Sequence, residues 1–316
     1  MASRCIVLLT TLLLLLGSFL LLEISSASSS PCSFPAIFNF GDSNSDTGGL
    51  SAAFGAAPPP HGETFFGAPA GRYCDGRLIV DFIGIFKDVL PPQDYFSRAL
   101  YTFDIGQNDL TAGYVNNMTT EEVKTAIPDI LSKFVIVIKS VYGQGGRFFW
   151  IHNTGPFGCL PYVIERFPIR APEVDRIGCG TPFNDVAQLF NAKLKQTVYK
   201  LRKDLPDAVF TYVDVYTVKY SLMKRARKLG FDDPLLACCG HGGRYNYNIH
   251  WGCGSKIKVN GTEVVIGKAC ENPLKRVCWD GVHYTEAANK WVYDRIVEGA
   301  FSDPPVPLRM ACQRQA

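Results

Sequence analysis

Short apolar runs that stop abruptly at a glycine or asparagine recur along this chain, and segments with helical spacing lie between them. Ala36-Ile-Phe-Asn-Phe40 ends at Gly41-Asp42, Ala99 to Ile105 ends at Gly106, and Arg147 to His152 ends at Asn153-Thr-Gly-Pro. Runs this short and this apolar predict strands buried on both faces. Phe183, Val186, Phe190, Leu194, Val198 and Leu201 then recur at the period of a helix with one apolar face. Ala208 to Val215 reads as a further strand and Val218 to Leu229 as a helix. The last helix is expected from Thr285, presenting Trp291, Val292, Ile296 and Val297. Strand and helix in alternation predict an α/β fold: a three-layer, mostly parallel sheet flanked by helices.

Other segments are less regular. Residues 44 to 76, with Pro58-Pro59-Pro60, read mostly as a long surface loop, and Leu78 to Val89 as a helix ended by Pro91-Pro92. Thr119 with Glu122 forms a capping box that opens a helix to about Tyr142. Pro128 is expected to start a new segment there or to kink the helix.

Of the 316 residues, 47% are hydrophobic, enough for one sizeable core, and no internal repeat divides the chain. A net charge of +3 without long basic runs points away from nucleic acid and anionic membranes as partners. Arg4, the apolar run Ile6 to Leu22 and the small residues Ser25-Ser26-Ala27 together read as a signal peptide over residues 1–27. The run is short for a membrane span, so no stable anchor is expected after cleavage. The expectation is a single domain over residues 28–316, secreted to the cell exterior.

Ten cysteines remain once Cys5 leaves with the signal, and an even number in an oxidising compartment favours disulfides of undetermined pairing. Asn117-Met-Thr and Asn260-Gly-Thr are glycosylation sequons.

In open α/β sheets, ligands bind beyond the carboxyl ends of the strands. Gly41-Asp42-Ser43, Gly106-Gln107-Asn108-Asp109 and Asn153 to Cys159 all occupy such ends. Each is also ordinary turn chemistry. A serine needs a base to act as nucleophile. Among the five histidines, His283 follows Asp280 by three residues, near enough for the carboxylate to hold the imidazole Nδ1–H and leave Nε2 for Ser43. Asn108 carries an amide N–H that could face a developing oxyanion. The bland reading makes Ser43 a local cap, Asp280 and His283 a loop and helix entry, and Asn108 a turn residue.

These residues carry a family resemblance. Phe38-Asn-Phe-Gly-Asp-Ser-Asn-Ser-Asp46, Gly106-Gln-Asn-Asp109 and Asp280-Gly-Val-His283 resemble, in order and spacing, the first, third and last blocks of the GDSL esterases/lipases, also called SGNH hydrolases. Gly155-Pro-Phe-Gly-Cys-Leu-Pro161 resembles a turn of the plant members. Thr102-Phe-Asp-Ile-Gly-Gln-Asn-Asp109, Cys238-Cys-Gly-His-Gly-Gly243 and Phe301-Ser-Asp-Pro-Pro-Val-Pro-Leu308 are most similar to their early-nodulin-like branch, some relatives of which are described as α-fucosidases. The resemblance implies an extracellular, glycosylated esterase of the cell wall or apoplast that needs no cofactor. Ser43 would attack, His283 would be the base and Asp280 its orienting group. The Ser43 N–H and Asn108 would form the oxyanion hole. The family places a second block, with a glycine N–H as oxyanion donor, before the Gly-x-Asn-Asp strand. Here Tyr101 lies only eighteen positions after Ile83, so that block, with several tens of residues including a strand, is missing.

Three rival readings stand beside this one. Cys238, Cys239, His241, His250 and Cys253 cluster in the manner of zinc ligands, although adjacent cysteines fit a zinc knuckle poorly. A glycosidase would need two carboxylates flanking a sugar, and no spacing singles out such a pair. The missing block also allows a non-catalytic binding protein. No long apolar lid is evident, which leans toward small or soluble esters; lipids and acetylated carbohydrates remain candidate substrates.

Overall fold

The apolar runs form a sheet. The computed structural model describes residues 30–55, 57–84 and 92–313. The chain divides after Cys32, and the sheet and its helices all belong to the unit from Ser33 onward. Residues 1–27, read from the sequence as a signal peptide, lie outside the described residues.

Four parallel strands, β1 (Ile37–Gly41), β2 (Leu100–Asp104), β3 (Phe148–His152) and β4 (Val209–Val213), lie side by side in chain order. A hairpin of β5 (Lys256–Val259) and β6 (Thr262–Val265) stands as its own sheet. The two-residue β7 (Ser302–Asp303) adds antiparallel to β4. Helices follow the strands as alternation predicts: α1 (Gly49–Phe54), α2 (Glu63–Phe66), α3 (Ile79–Ile83), α4 (Gln107–Val115), α5 (Thr120–Gly143), α6 (Pro161–Arg166), α7 (Thr181–Asp204), α8 (Val215–Arg225) and α9 (Glu286–Ile296).

Alternate residues of each strand point to opposite faces, and each face has its own core. Tyr101, Phe103, Phe149 and Phe210 meet Leu110 of α4, Ile127, Phe134 and Ile138 of α5, and Phe190 and Leu194 of α7. Leu100, Trp150 and Val213 on the other face meet Ile79 of α3, Val218 and Leu222 of α8, and Val292 and Ile296 of α9. Helix, sheet and helix make the three layers expected from the sequence.

The departures have physical causes. Pro128 neither breaks nor restarts α5, which runs unbroken through it. Its buried stripe, from Val123 through Ile127, Leu131, Phe134 and Ile138, holds both halves on one face and outweighs the proline's cost of about 3 kcal/mol. Of the helix expected over Leu78 to Val89, α3 forms up to Ile83 and Gly84 is extended, its N–H closing on Val80 O; residues 85–91 lie outside the described residues. The supposed surface loop of residues 44 to 76 contains α1 and α2 and buries His61, Cys74 and Asp75. Two ion pairs anchor the stretch from its end into α3: Arg72 with Asp81, and Arg77 with Glu286 of α9, each at 2.7 Å.

The outer side of β1 carries no further strand among the described residues. The inner strands are almost wholly buried, whereas Asn39, Phe40 and Gly41 are exposed. An all-parallel sheet usually buries its strands on both faces.

Candidate active site

Beyond β1 the chain turns sharply. Asp42 N–H extends the ladder to Asp104 O (3.2 Å), and Ser45 N–H closes back on Asp42 O (2.9 Å). The Asp42 carboxylate accepts Asn44 N–H at 2.9 Å, and Asn39 donates its side-chain amide to Ser45 O at 2.7 Å. A Cβ on residue 41 would sit 1.8 Å from Ser45 Oγ and 2.9 Å from Asp104 O, so the turn requires glycine there. Its tip is Ser43.

Asp280 and His283 arrive from the far end of the chain, between Cys278 and α9. Asp280 Oδ1 accepts the backbone N–H groups of Val282 (3.0 Å) and His283 (2.9 Å), and Oδ2 accepts His283 Nδ1–H at 2.6 Å. With that nitrogen donating, Nε2 is the acceptor, and Ser43 Oγ–H lies 2.6 Å from it. The loop holding the pair is itself clamped. Trp279 N–H bonds His283 O, Cys239 N–H bonds Trp279 O, and Tyr162 N–H bonds Gly281 O. Gly281 has φ +97°, and a Cβ there would strike the Tyr247 ring at 2.2 Å.

Electrostatics follow from this packing. Burial raises the Asp280 pKa, but the His283 charge and three hydrogen bonds outweigh it and leave it at about 2. Burial lowers the His283 pKa, yet the Asp280 carboxylate raises it more, with help from Asp42 and opposition from Lys219; the net direction is up.

Gly106 (φ +114°) lies against Phe190 and leads into α4, whose first turn carries Asn108. Asn108 and Ser43 line one open cleft of about 760 Å³. Its other walls are Ile37, Asn39 and Gly41 of β1 and Leu50, Ala53 and Phe54 of α1. The N-terminus of α4, which carries partial positive charge, brings Asn108 to this cleft.

A profile of the GDSL-like lipase/acylhydrolases matches residues 37–296, most of the chain. The chain belongs to that family. It is 53% identical to the GDSL esterase/lipase ACHE of Zea mays, with 89% of each chain covered. It is 49% identical to Alpha-L-fucosidase 3 of Arabidopsis thaliana, over 90% of this chain and 93% of that one. It is 42% identical to the GDSL esterase/lipase ENOD8 of Medicago truncatula, over 90% and 91% respectively. As a GDSL lipase/acylhydrolase it is a carboxylic ester hydrolase by family. The first alignment spans 354 positions, while 89% of this 316-residue chain is about 281, so about 70 positions face a gap here. The relatives thus carry residues that this GDSL chain lacks, in keeping with the short link between Ile83 and Tyr101.

Four of the predicted site residues, Ser43, Asn108, Asp280 and His283, come together; Asn117 and Asn260 sit apart on exposed turns with positive φ. The zinc candidates do not assemble. Cys238 is bonded to Cys270 and Cys239 to Cys253, while His241 and His250 are exposed. Cys159–Cys179 is a further disulfide, Cys32 and Cys312 are also disulfide-bonded, and Cys74 and Cys278 are buried free thiols.

A buried polar layer beneath the site escaped the sequence reading. Trp150 Nε1–H donates to His152 Nε2 (2.9 Å), so His152 turns its Nδ1–H toward Asp104, 3.8 Å away. That separation is electrostatic contact rather than a formed hydrogen bond. Burial raises the Asp104 pKa, but His152 and Lys219 outweigh it and hold it low; Asp42 is pushed up by burial and then by the Asp104 charge. Lys219 is buried with its ammonium 4.7 Å from the Tyr284 ring centre. Tyr73 lies against His283, with ring centres 5.6 Å apart. Asp104 and His152 each close a predicted strand beside a flagged turn, but neither motif shows that the two meet near Lys219.

Proposed function

We propose that the protein is a secreted serine esterase that works through an acyl-enzyme, with Ser43 as nucleophile, His283 as base and Asp280 as its orienting group. The observation that carries this reading is the continuous pair of 2.6 Å contacts from Asp280 through His283 to Ser43 Oγ. In the first half-reaction Ser43 Oγ bonds to the ester carbonyl carbon while its proton passes to His283 Nε2. Collapse of the tetrahedral intermediate breaks the bond to the alcohol, and His283 returns the proton to it. Water then repeats the sequence and frees the acid. The Ser43 N–H and Asn108 stabilise the oxyanion. That hole has fewer donors than the family pattern implies, because the glycine-bearing block is missing. The N-terminal signal reading supports secretion, and Asn117 and Asn260 are the glycan sites.

A fluorophosphonate probe tests this directly. We expect covalent labelling of folded protein that disappears in Ser43→Ala; labelling that persists in the variant, or none in a folded wild type, removes the reading. Because one relative is named a fucosidase, nitrophenyl acetate and nitrophenyl fucoside should be compared side by side. Hydrolysis of the fucoside alone would favour a glycosidase.

A further inference from the structure

The two sequon asparagines have very different surroundings. Asn260 sits at the tip of the β5–β6 hairpin, whose strands are exposed almost throughout. A Cβ on the next residue, Gly261, would meet nothing within 4 Å. A sugar attached there is offered no wall. Asn117 lies in the turn between α4 and α5 and forms part of the wall of a pocket of about 430 Å³. Pockets of roughly 300–1,000 Å³ are the size that holds small ligands. The neighbouring Asn116 turns its side chain back onto Ala112 O at 2.8 Å, so the asparagine at the pocket is the one in the sequon.

The other walls suit a ring with an apolar face and a polar rim. They include Tyr114 from the end of α4, Thr120 from the start of α5, Phe183 of α7, and Arg166 and Phe167 at the end of α6. The Phe167 ring is held by those of Tyr114, Tyr162 and Phe183 at 5.6, 5.9 and 5.9 Å, yet the residue stays partly open. Arg166 is exposed, with its guanidinium 5.5 Å from the Tyr162 ring centre and 5.9 Å from that of Phe167. The C–H face of a pyranose carries slight positive charge and suits the negative face of an aromatic ring. Its hydroxyls and acetamide find donors in the guanidinium and the Thr120 hydroxyl. Such contacts are weak for a free sugar. A sugar joined to the wall of its own pocket has an effective concentration in the mM range, so even a contact of mM strength is well populated.

We propose that this pocket seats the first N-acetylglucosamine of a glycan on Asn117, while the glycan on Asn260 stays free. The inference rests on the reading of Asn117 as an occupied glycan site. The seated sugar bridges from the α4–α5 turn to α6. Helix α4 carries Asn108 in its first turn, and Tyr162 of α6 donates its N–H to Gly281 O in the loop of His283. The bridge therefore braces two elements that flank the active site.

The test uses the full chain secreted with high-mannose glycans. Asn117 and Asn260 both have positive φ (+61° and +51°), a region that glycine tolerates. Asn117→Gly and Asn260→Gly therefore each remove a glycan in a comparable backbone setting and add no charge. Asn117→Gly is expected to lower the unfolding temperature by at least about 2 °C more than Asn260→Gly, the scale of one lost ring contact. Cutting the wild-type glycans back to a single N-acetylglucosamine should leave the unfolding temperature unchanged, because only the first sugar is seated. In an Arg166→Ala background the effect of Asn117→Gly should shrink at least about twofold, since the two sites are coupled through the sugar. Equal shifts for the two glycine variants, a loss on trimming, or an undiminished effect in Arg166→Ala would overturn the seat. A peptide mass spectrum showing bare Asn117 in the secreted protein would instead remove the glycan-site reading, so the two failures are distinguishable.

Discussion

The two walls that meet at the Ser43–His283 contact are built very differently. The wall from Val277 to Thr285 is fixed from every side. It has backbone bonds to Tyr162 and to Cys238 and Cys239, which are themselves disulfide-bonded to Cys270 and Cys253, together with the buried Trp279 and α9 capped by the Thr285 side chain. The opposite wall is β1 and its turn, with one neighbouring strand among the described residues, side-chain bonds through Asn39 and Asp42 and an open outer edge. On the roles proposed above, preorganisation resides with the base, and the nucleophile depends on a glycine turn and on its partner's rigidity.

The sharpest way to break this contrast is to disarm the rigid wall without unpacking it. Asp280→Asn keeps the size of the side chain and the acceptor oxygen for Val282 and His283 N–H, but it no longer holds His283 in the Nδ1–H tautomer. A fall in kcat of about 10⁴ is expected, with thermal unfolding little changed. Activity within tenfold of wild type would mean that His283 is oriented by something other than Asp280.

Asn108→Ala probes the sparse wall. Removal of one oxyanion donor lowers kcat by about 10²–10³ with KM nearly unchanged, because the contact strengthens only as charge develops. A loss confined to KM would make Asn108 a substrate contact instead. The two losses also calibrate each other. If the oxyanion side is as poorly provided as its missing block implies, wild-type kcat is low and Asn108→Ala removes most of what transition-state stabilisation remains.

The same division explains what could be read from the sequence. The strands were legible because each is a short apolar run closed by a turn. Ser43, Asn108 and the Asp280–His283 pair could be picked out as candidates because each sits in a local motif, although Ser43 and His283 meet across 240 positions. Asp104, His152 and Lys219 were not. They meet only after β2, β3 and α8 have packed, and a buried lysine or histidine looks like any other in the chain. The Arg77–Glu286 pair joins residues 209 positions apart, so nothing local shows that the stretch before α3 is pinned. Pro128 shows local propensity losing: a proline failed to stop a helix whose buried stripe continues on both sides of it.

The smallest effect concerns protons. His283 must be neutral to accept the Ser43 proton, so kcat/KM should fall about tenfold per unit below its pKa. Asp280 lifts that pKa above the ordinary 6.5 despite burial, so the midpoint of the acidic limb is expected above 6.5. The linked stability has the opposite sign. A raised pKa stabilises the fold fully below 6.5, and that contribution is lost as pH rises through the folded value, so activity grows where this share of stability fades. Asp42 raises the His283 pKa and Lys219 lowers it, both by less than Asp280 acts. Asp42→Asn should therefore move the midpoint down and Lys219→Met should move it up. A midpoint below 6.5, or an Asp42→Asn shift as large as that of Asp280→Asn, would show that the nucleophile wall controls the base as strongly as the clamped one.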